Sequence, residues 1–258
     1  FVCIQGSEAT HVISCYLTKG KRTRDLEEDL VSECLEALIG IACGVSSELP
    51  KLSQNIEYEV VRPQEDWKQL IDGEIEYIKS EEKVSRLIFP GTFNPLHEGH
   101  LKIKELAEEK TQEELVFEIS VSNVDKAPLS FYEIKKTIDQ FSDDQQWILT
   151  NASTFQQKVK LFPKSIFVVG TDTLMRIFDE QYYQDQTTMN QALDCFNEYD
   201  ARFIVFGREI NKNFLSLEDL EIPSFVRDRF KGVKEDEFRM DIRSREIKRS
   251  EEESRESA

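Results

Sequence analysis

The stretch Leu87-Ile-Phe-Pro-Gly-Thr-Phe-Asn-Pro-Leu-His-Glu-Gly-His-Leu101 decides how this chain folds. It opens with a short apolar run, stops at a Pro-Gly turn, and continues as an amphipathic pattern from Leu96. Such a succession predicts a strand, a tight turn and the start of a helix. His97 and His100 lie three residues apart, so a helix would place both rings on one face. Free backbone N–H groups at a helix start bind phosphate, and Gly99 has no side chain to obstruct a ligand.

Apolar runs and amphipathic segments alternate along the rest of the chain from residue 84. The pattern predicts strands at 84–90, 115–121, 147–149, 166–170 and 203–207. It predicts helices at about 97–110, 130–141, 153–161, 173–183 and 187–199. Strands that alternate with helices indicate the α/β class, with a parallel sheet covered by helices on both faces. Ligands of such a sheet bind at the carboxyl ends of its strands, where the strand order reverses.

The chain before residue 83 predicts a partial small α/β module and a linker. Residues 1–45 contain two predicted strands, Phe1–Ile4 and His11–Leu17, followed by a helix that starts at Thr23 and ends at Gly44. Residues 46–82 are predicted to be a linker with a connecting helix from about Gln64 to Glu81. The first residue is not Met, so we expect the true N-terminus and any presequence to be missing. Residues 250–258 form a charged tail.

The composition restricts the classes of binding partner and the cellular compartment that we expect for this chain. The chain has 33 basic and 50 acidic residues, a net charge of −17, which argues against a nucleic-acid partner. No apolar stretch approaches the roughly eighteen residues that predict a membrane span. Five scattered cysteines without a C-x-x-C pair predict reduced thiols in a cytoplasmic or organelle-matrix protein, and no metal site.

Two motifs carry a family resemblance. The 87–101 stretch resembles the signature of the nucleotidyltransferase superfamily with the H-x-G-H motif, and Phe167-Val-Val-Gly-Thr-Asp-Thr-Leu174 looks like the G-x-D-x-L element of its pyridine-nucleotide adenylyltransferases. The resemblance covers residues 84–249 and implies a Rossmann-like nucleotidyltransferase domain at 83–249. Residues 1–45 faintly resemble the end of a competence-damage-type nicotinamide-mononucleotide amidohydrolase domain, without its catalytic residues.

The resemblance implies a transfer of AMP from ATP to a mononucleotide, with Mg²⁺ carried by ATP rather than by a protein site. His97 and His100 would be catalytic, gripping the phosphates. Asn123 and Lys126 would contact the second substrate, although a solvated surface lysine is an equal alternative for Lys126. For Asp172, a simple helix cap is the alternative. The implied ATP-binding residues are Gly91, Thr92, Phe93, Gly99, Gly170, Asp172, Ser244 and Lys248.

The last family motif is altered. Relatives carry Ile-Ser-Ser-Thr-x-x-Arg, and the matching positions here keep Ser244 but have Arg243, Arg245 and Lys248. The sequence therefore leaves two main hypotheses: a mononucleotide adenylyltransferase of NAD biosynthesis, or a catalytically degenerate pseudoenzyme that serves as an accessory subunit of a larger assembly. A cytidylyltransferase is a third interpretation. The oligomeric state stays open, between a homo-oligomer and a subunit of a complex.

Overall fold

The computed structural model describes residues 2–17, 23–45, 55–81, 85–122 and 127–239. The strands of these ranges are β1 (Val2–Gln5), β2 (Thr10–Tyr16), β3 (Asn55–Val61), β4 (Tyr77–Lys79), β5 (Leu87–Pro90), β6 (Leu115–Ser120), β7 (Gln146–Thr150), β8 (Ile166–Gly170), β9 (Arg202–Phe206), β10 (Arg208–Ile210), β11 (Asn213–Leu215) and β12 (Phe230–Val233). The α-helices are α1 (Arg24–Ala42), α2 (Glu65–Ile71), α3 (Glu98–Thr111), α4 (Phe131–Ile138), α5 (Phe155–Leu161), α6 (Thr171–Ile177) and α7 (Gln186–Glu198).

A seven-stranded sheet in the order β12-β9-β8-β5-β6-β7-β4 organises the molecule. All neighbouring strands run parallel except β4, which pairs antiparallel with β7. The predicted parallel sheet is therefore confirmed. The chain moves outward from β5 through β6 and β7 on one side, and through β8 and β9 on the other. The strand order thus reverses between β5 and β8, and a ligand site is expected at their carboxyl ends.

Helices cover both faces of this sheet, and each face has its own apolar core. On one face, Ile103 of α3 and Ile134 of α4 pack against Phe117. On the other face, Val159 of α5 and Leu193 of α7 belong to a second cluster. Alternate residues of the strands feed the two clusters, because successive side chains of a strand point to opposite faces. The central strands are buried on both sides, which explains their continuous apolar runs.

The N-terminal residues form a smaller layer beside this domain. Strands β1, β2 and β3 make an antiparallel sheet, and one side of α1 packs its Leu30, Cys34 and Leu38 near Ile13. The four-residue spacing of these α1 side chains is the predicted helical pattern, and Thr23 caps the helix as expected. The side chain of Gln5 accepts a hydrogen bond from the Phe131 N–H at 2.8 Å, which ties this layer to α4.

Two predicted helices are wrong in extent. The connecting helix expected from Gln64 to Glu81 is short: α2 ends at Ile71, where Gly73 adopts a positive φ of 76° that a side chain disfavours, and β4 follows. The helix expected at 173–183 starts earlier and stops at Ile177, and a 3-10 turn at Glu180–Tyr182 follows.

The domain boundaries stay a prediction, although the part predicted as a linker adds a strand to each sheet. β3 pairs with β2 in the small sheet, and β4 pairs with β7 in the large one. Phe1, residues 82–84, which include the first residue of the predicted 84–90 strand, and the 250–258 tail lie outside the described residues. Among the residues that are described, no helix is long and apolar enough to cross a membrane.

Candidate functional site

The turn between β5 and α3 is shaped by an aromatic side chain that points inward. Phe93 adopts a φ of 41°, and its ring is 1% exposed, edge-on to Phe117 and His100 at centroid distances of 5.0 Å. The ring lies so close to Gly91 that a Cβ there would be 2.6 Å from its Cζ. Gly91 is therefore required by packing. Phe93 was expected to bind ATP, and in the structure its ring belongs to the core cluster.

The side chain of Gln140, two residues after the end of α4, holds this turn in place through hydrogen bonds. Its Oε1 accepts a hydrogen bond from the Leu96 N–H at 2.7 Å, and its Nε2 donates to the Phe93 carbonyl at 2.9 Å. One side chain thus satisfies a donor and an acceptor of the turn, which otherwise lacks ladder partners. No sequence pattern indicates this role, because it depends on the packing of α4 beside the turn.

His97 and His100 open α3 as a stacked pair. Their ring centroids are 3.7 Å apart with an interplanar angle of 23°, and the His97 N–H donates to Nδ1 of His100 at 3.3 Å. That bond makes Nδ1 of His100 an acceptor, so the neutral ring carries its proton on Nε2. Within the described part of the chain, the buried Nδ1 of His97 has no hydrogen-bond partner.

The environment holds both rings neutral. Burial, together with the neighbouring His97 and Arg208, lowers the pKa of His100 to about 3. Burial, and then the Arg208 guanidinium, also lowers the pKa of His97 below its ordinary value. Desolvation disfavours the charged imidazolium, and a second positive charge nearby adds to the penalty. Near neutral pH the pair therefore offers N–H donors rather than positive charges.

The second half of the site lies at the end of β8, where the strand passes directly into α6. Gly170 is the N-cap residue and makes no side-chain cap, and Asp172 lies in the first helical turn with its side chain about half exposed. A Cβ on Gly170 would collide with Oδ1 of Asp172, so glycine allows the carboxylate to fold back over the strand end. The capping alternative for Asp172 does not describe this geometry.

Arg208, which lies outside the two sequence motifs, joins the two halves. The chain leaves β9, enters β10, and returns in β11 through a turn at Asn211-Lys212 whose φ values are 52° and 67°. This hairpin brings Nε of Arg208 to 3.7 Å from Oδ1 of Asp172. Arg208 also lines, with His97, Gly99 and His100, a cavity of about 10 Å³. A polar residue directly after a buried strand, followed by a turn-forming asparagine, was the signal available in the sequence.

The model of the cytidylyltransferase-like family matches residues 88–250, which is more than half of the chain. The chain belongs to the cytidylyltransferase-like family. No curated protein sequence matches it. The match starts within β5 and includes every site residue described above, so the family supports a nucleotidyl-transfer function for this arrangement.

Several expected site residues of this cytidylyltransferase-like chain lie outside the described residues. These are Asn123 and Lys126 after β6, and Arg243, Ser244, Arg245 and Lys248 near the end. Thr92 is described and is exposed beside Gly91. Among the described residues, no group of three or more His, Cys, Asp or Glu side chains is placed to hold a metal ion.

A buried ion pair supports the strand ends of the cytidylyltransferase-like domain. Nζ of Lys158 donates to Oε1 of Glu118 and to the Ala152 carbonyl, both at 2.7 Å, and the two charged side chains are only 7% and 1% exposed. The backbone carbonyl of Glu118 accepts the Gly91 N–H at 2.9 Å. The pair therefore connects the ends of β6 and β7 to the turn that carries the histidines.

A cavity of about 480 Å³ opens beside α6 of the same domain, next to the strand end that carries Asp172. Its aromatic and basic lining consists of Phe155, Arg176, Tyr182, Tyr183 and Phe196. Four elements contribute to its lining: α5, α6, the 3-10 turn that follows α6, and α7. Aromatic faces and one guanidinium together suit a flat ring that carries a single anionic group.

Proposed function

We propose that this chain transfers AMP from ATP to a pyridine mononucleotide and releases pyrophosphate. The observation that carries the proposal is the meeting of His97, His100, Asp172 and Arg208 where the sheet order reverses. Four residues from three separate segments converge at the edge where parallel sheets bind nucleotides. Three of them offer N–H donors, which is the chemistry that a triphosphate needs.

The reaction needs positioning and charge stabilisation rather than a protein nucleophile. A phosphate oxygen of the mononucleotide forms a bond to the α-phosphorus of ATP, and the bond from that phosphorus to the bridging oxygen breaks, so that pyrophosphate leaves. Negative charge accumulates on the departing phosphates, and preorganised donors lower the barrier. The Nε2–H of His100, the ring of His97 and the Arg208 guanidinium supply such donors. Mg²⁺ would arrive with ATP and neutralise phosphate charge.

The pyridine substrate is supported by the cavity beside α6. Its aromatic side chains suit a pyridine ring, and Arg176 suits the 5′-phosphate of a mononucleotide. The volume of about 480 Å³ is within the range of about 300–1,000 Å³ typical of small-molecule sites. Because Asp172 and Arg176 belong to the same helix, a ligand in this cavity would lie next to the phosphate end of the site.

One observation favours the pseudoenzyme alternative. The cavity beside the histidines is about 10 Å³, which is room for about one water molecule. A triphosphate is larger than this cavity, so we infer that Arg208 would have to move away from Asp172 to admit one. In an active enzyme, the phosphates would bind the Arg208 guanidinium in place of Asp172. In a pseudoenzyme, the ion pair stays closed.

The test is pyrophosphate release with ATP plus nicotinamide mononucleotide or nicotinate mononucleotide, and with CTP plus a phosphomonoester such as choline phosphate. We expect turnover with ATP and one pyridine mononucleotide. Replacing His97 with Ala should lower kcat by about 100- to 1,000-fold, the range for loss of one charge-stabilising donor. Arg208→Ala should also lower it, while Arg24→Ala, which removes an exposed guanidinium on α1, should not.

The outcomes separate the alternatives. Turnover with CTP instead of ATP would replace the proposal by a cytidylyltransferase. No turnover with any pair would favour the pseudoenzyme. The double change Arg243→Ser with Arg245→Thr is a second test, made whether or not turnover is found. In a working enzyme those arginines hold phosphate, so the double change lowers turnover. In a pseudoenzyme they obstruct the phosphate site, so the same change increases nucleotide affinity.

A further inference from the structure

A cavity of about 700 Å³ lies at the end of the sheet opposite to the candidate site. The first residues of three strands line it, Ile166 of β8, Arg202 of β9 and Phe230 of β12. The histidines and Asp172 lie instead at the carboxyl ends of β5 and β8. A strand rises about 3.3 Å per residue, so the five residues of β8 separate the two sites by about 13 Å.

Three basic side chains converge on one side of this amino-end cavity. In the parallel pairing of β9 and β12, Lys231 is opposite Ile204, and Arg202 lies two residues before Ile204. Residues two apart on a strand share a face, so Arg202 and Lys231 point to the same side of the sheet as Ile204. Ile204 packs in the same core cluster as Ile103 of α3. Lys110, from the last turn of α3, completes the group.

The positive charge of this cavity contrasts with the acidic composition of the whole chain. Four basic and two acidic side chains line the cavity, while the whole chain has a net charge of −17. Arg202 and Lys231 are diagonal neighbours on adjacent strands, so their like charges repel. Lys110 pairs with Glu237 at 2.8 Å, whereas Arg202 and Lys231 are exposed and form no ion pair within 4 Å in the described ranges. The nearby Asp200 carboxylate, which pairs with Arg229, also attracts Arg202. An anion between the two side chains would relieve this repulsion.

The cavity also presents an aromatic surface. Phe225 lines it and is 43% exposed, which is unusual for a phenyl group. On the face of the sheet opposite to Arg202 and Lys231, the cavity-lining Phe203 and Phe230 stack with ring centroids 4.6 Å apart and an interplanar angle of 18°. A volume of about 700 Å³ is far larger than an inorganic phosphate needs and falls in the range typical of small organic ligands.

We propose that this amino-end cavity binds a phosphorylated aromatic small molecule of the nucleoside-monophosphate class. Arg202 and Lys231 hold the phosphate, and Phe225 packs against the aromatic ring. The proposal is independent of nucleotidyl transfer, because no residue of the cavity belongs to the candidate site at the carboxyl ends. A bound ligand stabilises the folded chain by mass action, so it also increases the melting temperature.

The experiment is an equilibrium titration of 5′-AMP against the full chain in a His97→Ala background, which weakens binding at the carboxyl-end site. Replacing Arg202 and Lys231 together by Ala should weaken AMP binding at least about tenfold, since two charge-assisted contacts are lost. Phe225→Ala should weaken the binding of AMP and of adenosine while leaving that of inorganic phosphate unchanged. The matched control is Lys160→Ala with Lys164→Ala, which removes the same charge from exposed positions outside the cavity.

Folding of each variant is checked by urea unfolding, and the single change Lys231→Gln provides a milder test if the double variant is unstable. Equal AMP affinity in the Arg202/Lys231 variant and in the lysine control would overturn the proposal. AMP binding that depends on His97 alone, with no remaining site in the His97→Ala chain, would overturn it as well. A loss of phosphate affinity with retained adenosine affinity in the Arg202/Lys231 variant supports it.

Discussion

Replacing Gln140 by Leu tests whether one side chain holds the turn that presents the histidines. The change removes the bonds to the Leu96 N–H (2.7 Å) and the Phe93 carbonyl (2.9 Å) without a large change in volume. Each such bond is worth about 0.5–1.5 kcal/mol net, and a half-buried unpaired group adds a part of its desolvation penalty. We therefore expect the free energy of unfolding to fall by about 2–3 kcal/mol. Because the turn leads into His97, kcat/KM for the proposed adenylyl transfer should fall too.

The assay is urea unfolding followed by far-ultraviolet circular dichroism, with pyrophosphate release measured on the same preparations. Gln145→Leu is the matched control, since Gln145 makes a single, exposed side-chain bond to the Ser142 N–H at 3.2 Å. That change should cost no more than about 0.5 kcal/mol. Equal losses of stability in the two variants would refute the reasoning, because the turn would then be held by something other than Gln140.

Three further predictions concern packing, charge and protonation. Gly91→Ala places a Cβ 2.6 Å from the Phe93 ring and should cost about 1–3 kcal/mol of unfolding free energy, the usual range for overpacking. Lys158→Met leaves the Glu118 carboxylate buried and unpaired and should cost about 3–5 kcal/mol, while the double change with Glu118→Leu should recover most of it. For His100, whose folded-state pKa is about 3 against an ordinary 6.5, the unfolded chain takes up a proton first as the pH falls, so stability should drop between those values. The slope due to this residue should approach about 1.4 kcal/mol per pH unit and should disappear in His100→Gln.

Urea unfolding series check these three predictions, and each has a contrary result. A Gly91→Ala chain of unchanged stability would mean that the Phe93 ring moves freely. The double variant of Glu118 and Lys158 could prove as unstable as Lys158→Met alone. The loss in Lys158→Met would then come from the missing ion pair and not from a buried, unpaired Glu118 carboxylate. An equal pH slope in the wild type and in His100→Gln would show that His100 titrates alike in the folded and unfolded chain.

The central sheet was predictable because its strands are buried on both faces. The run at 166–170 was predicted within its observed bounds, since a continuous apolar segment between turn residues fits little else. The short outer strands were not predicted. β4 and β10 have three residues each, and β12 contains Gly232, so their own patterns are weak and their neighbours determine their conformation.

The candidate site was predictable where it rests on local chemistry. The spacing of His97 and His100 at a strand–turn–helix junction sufficed to bring them together, and Gly170 with Asp172 follows from the second motif. Arg208 was missed because it reaches the site only after the chain folds back in a hairpin. The packing role of Phe93 was not predicted, because nothing in the sequence distinguishes an aromatic ring at the surface from one that anchors a turn.

The antiparallel strand β4 has a practical consequence for dissecting the chain by proteolysis or recombinant expression. The family match starts at residue 88, yet the outer strand of the sheet is Tyr77–Lys79, and Trp67 of α2 belongs to the core cluster beneath it. A fragment cut at the family boundary would leave β7 with bare N–H and C=O groups, a template for edge-to-edge aggregation. The fragment that remains soluble should therefore begin ahead of Glu65, the first residue of α2.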